Sequence, residues 1–213
     1  MYAKATLVML SIASLPTQAE VTINLGADLW LADTKVNEVR QDAGMVPILY
    51  SAISHDISYL PNAQIRYLSL DEDYMALNKL DLSIYYPLLN HDLLYFDAGV
   101  TFTDLSNTKY VNPENGARAD FNKLIWAWYA YAEITLPNSH WDVIGEMNFG
   151  DSSGIKNTDL MAGMQYRVPM GDSPMIIKAG YRVIDMESKD FPSSKGDPMI
   201  FANGFFAGAE YSF

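Results

Sequence analysis

Apolar and polar residues alternate along most of this chain, in runs about ten residues long. Val21, Ile23, Leu25, Ala27, Leu29 and Leu31 stand against Thr22, Asn24, Gly26, Asp28 and Trp30. Leu80, Leu82, Ile84 and Tyr86 stand against Lys79, Asp81, Ser83 and Tyr85. Leu94, Phe96, Ala98, Val100 and Phe102 repeat the pattern, as do Leu160 to Val168 and Ile177 to Val183. A period of two puts one greasy and one polar face on an extended strand. Three stretches are less regular. Leu124 to Leu136 carries Trp126, Trp128, Ala130, Ala132 and Ile134 on one face, and its other face, Ile125, Ala127, Tyr129, Tyr131 and Glu133, is less polar than elsewhere. Residues 48–59 are apolar in both registers, so their faces stay unassigned, and 63–70 loses phase at Leu68.

Ten strands follow, over 21–32, 47–57, 63–70, 77–88, 93–103, 123–136, 141–150, 158–168, 175–185 and 199–213. The connections at Pro61-Asn62, Asn90-His91, Pro137 to Ser139 and Pro169 to Pro174 are short. Those at 33–46, 104–122 and 186–198 are longer and polar, and 71–76 and 151–157 are moderate. Short turns on one rim and long polar loops on the other predict an all-β, antiparallel, up-and-down transmembrane barrel. In that topology the long loops face outside, while Pro61, Asn90, Asn138 and Gly171 face the periplasm. A soluble lipocalin-like barrel also alternates, but turns its greasy face inward and its charges to water. Here the polar face is rich in Gly, Ser, Thr and Tyr, with one or two charges per strand. Strands near ten residues also match the roughly 9–11 that cross a bilayer at a tilt.

Composition sharpens this picture. The chain has 213 residues, no cysteine, and net charge −12. Such a chain lacks the basic stripe of a nucleic-acid binder and any Cys-based nucleophile or disulfide scaffold. Residues 1–19 carry Lys4, an apolar run from Ala5 to Leu15, and Thr17-Gln18-Ala19. That is the pattern of a cleaved secretory signal peptide, leaving 20–213 as the barrel domain. No later stretch has the roughly 18 apolar residues of a membrane helix. Export to the bacterial outer membrane of a Gram-negative cell is the expectation, with outer-membrane lipid as surroundings.

The last strand alternates Phe201, Asn203, Phe205, Ala207, Ala209, Tyr211 and Phe213. A closing strand that ends in an aromatic resembles the C-terminal signature that barrel-assembly machinery reads. Leu49-Tyr50-Ser51-Ala52-Ile53-Ser54-His55, Leu60 to Tyr67, Leu80 to Pro87 and Ala179-Gly180-Tyr181-Arg182 add a further likeness. They resemble one uncharacterised family of predicted outer-membrane barrels, associated with bacteria that sort GlyGly-C-terminal proteins. The likeness spans most of 20–213, implies a barrel, and brings no catalytic residues with it. Small barrels of the OmpW and OmpA type are a more distant analogy.

The polar face carries Asp28, Arg66, Lys79, Asp81, Asp97, Glu133, Glu146, Asp159, Arg167, Lys178, Arg182 and Glu210, seven acids and five bases. Cross-strand ion pairs bracing a narrow bore are the expected role, since a buried charge needs a partner. Glu133 and Glu146 should lie close across the 137–140 turn. Two surplus acids would remain near water or a cation. Trp30, Tyr85, Tyr95, Tyr129, Tyr131 and Phe206 point into the same bore, which predicts a largely plugged lumen. A narrow, cation-favouring, porin-like channel is the alternative. Trp126, Trp141, Tyr86, Tyr166, Phe102 and Phe149 should form outer aromatic girdles.

No catalytic, cofactor or metal role is assigned to any residue. His55, His91 and His140 fall at the short-turn rim and read as solvated turn residues. Enzymatic barrels resemble one another in placing a catalytic His high in the barrel, which speaks against an enzyme here. Asp71-Glu72-Asp73 lacks the spacing of a calcium loop.

Overall fold

A computed structural model describes residues 20–57, 59–169, 175–193 and 198–213. The signal-peptide segment and Gly171 lie outside the described residues. The strands are β1 (Val21–Val36), β2 (Val39–His55), β3 (Asn62–Asp71), β4 (Met75–His91), β5 (Leu94–Val111), β6 (Arg118–Ala119), β7 (Lys123–Thr135), β8 (Trp141–Ser152), β9 (Ile155–Val168), β10 (Met175–Glu187) and β11 (Met199–Ser212). Ten of them form a closed antiparallel ring, in chain order apart from the two-residue β6, which pairs only with the upper end of β5. Closure is by β1 on β11, with Asn24 opposite Ser212 and Val36 opposite Ile200. The all-β, ten-strand, up-and-down barrel expected from alternation is the observed fold.

Alternation sets direction along every strand. On β1 the even positions from Asp28 to Val36 point inward and are buried, and the odd positions from Val21 to Leu31 point outward. Outward residues such as Leu29, Leu49, Leu82 and Ile177 are open over about half their surface. They make a continuous apolar belt. A run the length of Val21 to Leu31, tilted as barrel strands are, rises roughly 25 Å. Aromatics border it. Trp126 packs edge-on against Trp128 at 5.6 Å on one side, and Trp141 meets Tyr166 at 4.9 Å on the other.

Above the belt the two faces exchange chemistry while keeping their directions. On β3 the inward series runs Gln64, Arg66, Leu68, Leu70, and the outward series runs Ile65, Tyr67, Ser69, Asp71. The loss of phase at Leu68 is this exchange. β4 turns Met75 and Leu77 inward, one on either side of Asp71's level. β10 turns Ile184 and Met186 inward and Asp185 and Glu187 outward.

This corrects the expected long loops. Residues 33–46 are strand, joined by the two-residue turn Asn37-Glu38, whose φ values are 46° and 74°. Residues 151–157 turn at Ser153-Gly154, with φ of 53° and 77°. Paired positive φ is the twist that matches a tight hairpin. Much of 104–122 is likewise β5 and β6, and 71–76 reduces to a tight connection after β3. Polar residues there line the outside of a raised wall, with Ala32, Thr34 and Val36 facing in.

The raised wall encloses an ordinary apolar core. Trp30, Ile48, Leu68, Leu77, Leu105 and Ile155 are among its fully buried members. Residues 188–193 fold over it. Phe191 stacks on Tyr110 at 4.6 Å and meets Phe121 edge-on at 5.2 Å. Asn112 Nδ2 donates to the Pro192 carbonyl at 2.8 Å, and Ser188 Oγ to that of Gly154 at 2.9 Å.

Candidate functional site

Beneath the apolar core the interior becomes charged. Two ion pairs there cross the bore instead of following one hairpin. Arg66 on β3 forms a forked pair with Glu146 on β8, with Nη2 donating to Oε2 at 2.7 Å. Lys79 on β4 reaches Asp159 on β9 at 3.0 Å. In the ring, each pair is separated by three intervening strands on its shorter side. Asp159 also accepts both Nε and Nη2 of Arg182, at 2.9 and 2.7 Å. Asp81 binds Lys79 and accepts from Thr103 Oγ1 at 2.6 Å. A buried carboxylate must be matched this fully, because its desolvation costs several kcal/mol.

A second set leans across single strands. Lys178 on β10 lies 3.3 Å from Asp28 on β1, over Gly208 of β11. A Cβ on Gly208 would sit 2.0 Å from Asp28 Oδ1. Tyr50 on β2 donates to Glu210 on β11 at 2.8 Å, over Gly26 of β1. A Cβ on Gly26 would fall 2.0 Å from the Tyr50 ring. Lys178 Nζ lies 4.2 Å from the centre of that ring. The two glycines are the floor on which these pairs lie.

Below this layer a polar cup of about 510 Å³ opens at the rim of the 92–93 and 136–140 turns. Tyr85 and Tyr129 meet at 5.2 Å in its wall, and Tyr95 and Tyr131 at 6.3 Å. Glu133 accepts from Tyr131 Oη at 3.0 Å and Gln165 Nε2 at 2.9 Å. Asp97 stands beside Tyr95 on the inward face of β5, and its Oδ1 has no hydrogen-bond partner among the described residues. Among the described residues, Asp97, Glu133 and Glu210 meet no Lys or Arg within ion-pair distance.

All twelve charges singled out in the sequence (Asp28, Arg66, Lys79, Asp81, Asp97, Glu133, Glu146, Asp159, Arg167, Lys178, Arg182 and Glu210) stand on inward positions. Among the described residues their ion pairs form separate clusters. Glu133 and Glu146 are diagonal neighbours, with Glu133 opposite Ile144 and Tyr131 opposite Glu146, but each binds different partners. Arg167 pairs with Asp142 at 2.8 Å, a buried residue not singled out in the sequence. Its position between outward Trp141 and Val143 is the signal that places it inside. Tyr50 was likewise missed, because 48–59 gave no face.

Of the histidines, His91 lines the cup's mouth, His140 lies edge-on to Tyr166 at 6.0 Å, and the His55 backbone N–H donates to Asn62 Oδ1 at 3.1 Å. Asp71 takes Lys109 at 3.0 Å on the exterior, far from the cup along β3.

No family model matches this chain, and no curated protein matches it. Solved structures of bacterial outer-membrane barrels do. Neisserial surface protein A is 12% identical, with 92% of this chain and 100% of that one covered, at a TM-score of 0.42. The β domain of the Bordetella autotransporter BrkA is 11% identical, covering 92% and 99%, at 0.41. The outer membrane protease OmpT of Escherichia coli is 12% identical, covering 95% and 99%, at 0.35.

Proposed function

We propose that this chain is an exported barrel of the bacterial outer membrane whose bore is closed to solutes, with a binding or structural role in place of a channel's. One observation carries this reading: ion pairs tie opposite walls together, Arg66 to Glu146 and Lys79 to Asp159, directly beneath a buried apolar core. A solute crossing the bore would have to separate those pairs and then displace the core. The exposed apolar belt supports immersion in lipid, because a monomer in water rarely shows so large an apolar patch. A closed ring also leaves no unpaired strand edge in hydrocarbon. On this reading the cup opens toward the periplasm, as barrels keep their short turns there. β11, ending in Phe213, is the strand that the assembly machinery would receive.

The test is conductance of refolded protein in a planar lipid bilayer. Baseline current at both polarities is expected. A steady, cation-selective current would overturn the closed bore in favour of the narrow channel, for which the unmatched acids of the cup are the supporting feature.

A further inference from the structure

The cup has more acid than it can match from its own walls. Each base that lines it already has a carboxylate: Arg66 has Glu146, Arg167 has Asp142, and Lys178 has Asp28. Among the described residues, Glu133 and Glu210 have hydroxyl and amide donors, and Asp97, Glu133 and Glu210 have no cation. Two of these acids share one patch. In the register between β5 and β7, Asp97 lies opposite Tyr131 and Tyr95 opposite Glu133, so the acids sit diagonally with a tyrosine beside each. Asp97 is 4% exposed, and its Oδ1 has no donor among the described residues. A buried carboxylate oxygen without a partner calls for an explanation, and a bound positive group is one. Aromatic faces beside carboxylates are the surroundings that favour an organic cation, the rings through their quadrupole and the acids through charge-assisted hydrogen bonds. At about 510 Å³ the cup is of small-molecule size.

We infer that the cup is a binding site for a small organic cation, an amine, amidine or guanidinium, seated between Asp97 and Glu133 against Tyr95 and Tyr131. The inference rests on the closed-barrel reading, which makes the cup a terminus and not a passage. The cation enters from the short-turn rim, where His91 and Asp92 stand at the mouth. Planar amidinium groups fit best, because two parallel N–H bonds match one carboxylate.

The experiment titrates benzamidine into the refolded full-length barrel in detergent by calorimetry, with benzamide and benzoate as neutral and anionic controls of the same shape. Saturable binding of benzamidine is expected, with none of either control. The isosteric double variant Asp97→Asn/Glu133→Gln should weaken benzamidine at least about tenfold while keeping the wild-type heat-dependent gel mobility. Equal binding of benzamide by the wild type, an absence of saturable binding, or an unchanged affinity in the double variant would each overturn the site. The wild-type comparison stands even if the variant fails to fold. Conductance reads the bore and titration reads the cup. A closed barrel without charge preference removes only this inference, and a conducting barrel that still selects benzamidine removes only the closed bore.

Discussion

On β3 the same inward face holds Gln64 and Arg66 in the lower half and Leu68 and Leu70 in the upper half. The outward face holds Ile65 and Tyr67 below, and Ser69 and Asp71 above. Backbone pleating fixes which way each side chain points, and the medium outside decides what chemistry each face requires. On the proposed reading the lower half stands in lipid, so its outside is greasy and its interior must satisfy its own charges. The upper half stands in water, so its outside is polar and its interior is held by apolar burial, at about 25 cal/mol per Å². One barrel is therefore stabilised by two different physics, stacked along the same strands.

A charge moved between the two levels breaks or supports this contrast most strongly. Leu70→Glu and Gln64→Glu place similar carboxylates on one face of one strand. Leu70 is 3% exposed inside the apolar core and lies opposite Leu77, while Gln64 lines the cup. An unpaired charge at Leu70 should cost at least about 3 kcal/mol, enough to prevent assembly of a marginal barrel. At Gln64, where water reaches, the cost should stay under about 1 kcal/mol. Denaturant titration followed by gel mobility reads both. Similar losses at the two sites would mean the interior is of one kind throughout.

The next effect is in the charged layer. Arg66→Met leaves Glu146 buried with its forked partner gone, and should destabilise by about 3–5 kcal/mol. Arg66→Met combined with Glu146→Leu should recover most of that loss, since the stranded carboxylate goes with it. Failure of the double variant to recover would show that the pair's packing matters more than its charge.

Much of the ring was legible in the sequence, and the upper wall was not. Alternation over 21–31 or 80–86 marks a strand because lipid-facing and bore-facing residues differ sharply. Above the belt the difference reverses sign, so Leu68 looks like lost phase, and Asp33, Lys35 and Arg40 look like loop. The turn at Asn37-Glu38 lay hidden inside that apparent loop. In the site, inward position was readable for each charge, because it needs only parity. Partners were less so. Neighbour logic brings Glu133 toward Glu146, but Arg66 meets Glu146 because curvature carries β3 round to face β8, which no hairpin register encodes. The tyrosine–carboxylate patch at Asp97 depends on the β5–β7 register, which crosses the intervening 112–122 segment.

The smallest effect concerns what holds the segment over the upper mouth. Besides the hydrogen bonds of Ser188 and Pro192, an ion pair and a buried ring tie 188–193 to the wall: Lys123–Asp190 at 2.9 Å, and Phe191 between Tyr110 and Phe121. They differ in environment. Asp190 is 70% exposed and Lys123 31%, so water screens their attraction and both side chains lose freedom in forming it. Phe191 is buried, and its stacked contact with Tyr110 needs no counter-charge. If the upper half is an ordinary apolar core, the ring holds the segment and the ion pair adds little. Lys123→Met should then shift stability by less than about 1 kcal/mol and leave added protease unable to cut at 188–193 on intact cells. A larger loss, or new cleavage there, would mean that surface charge closes the mouth, and that the upper half borrows the lower half's means of stabilisation after all.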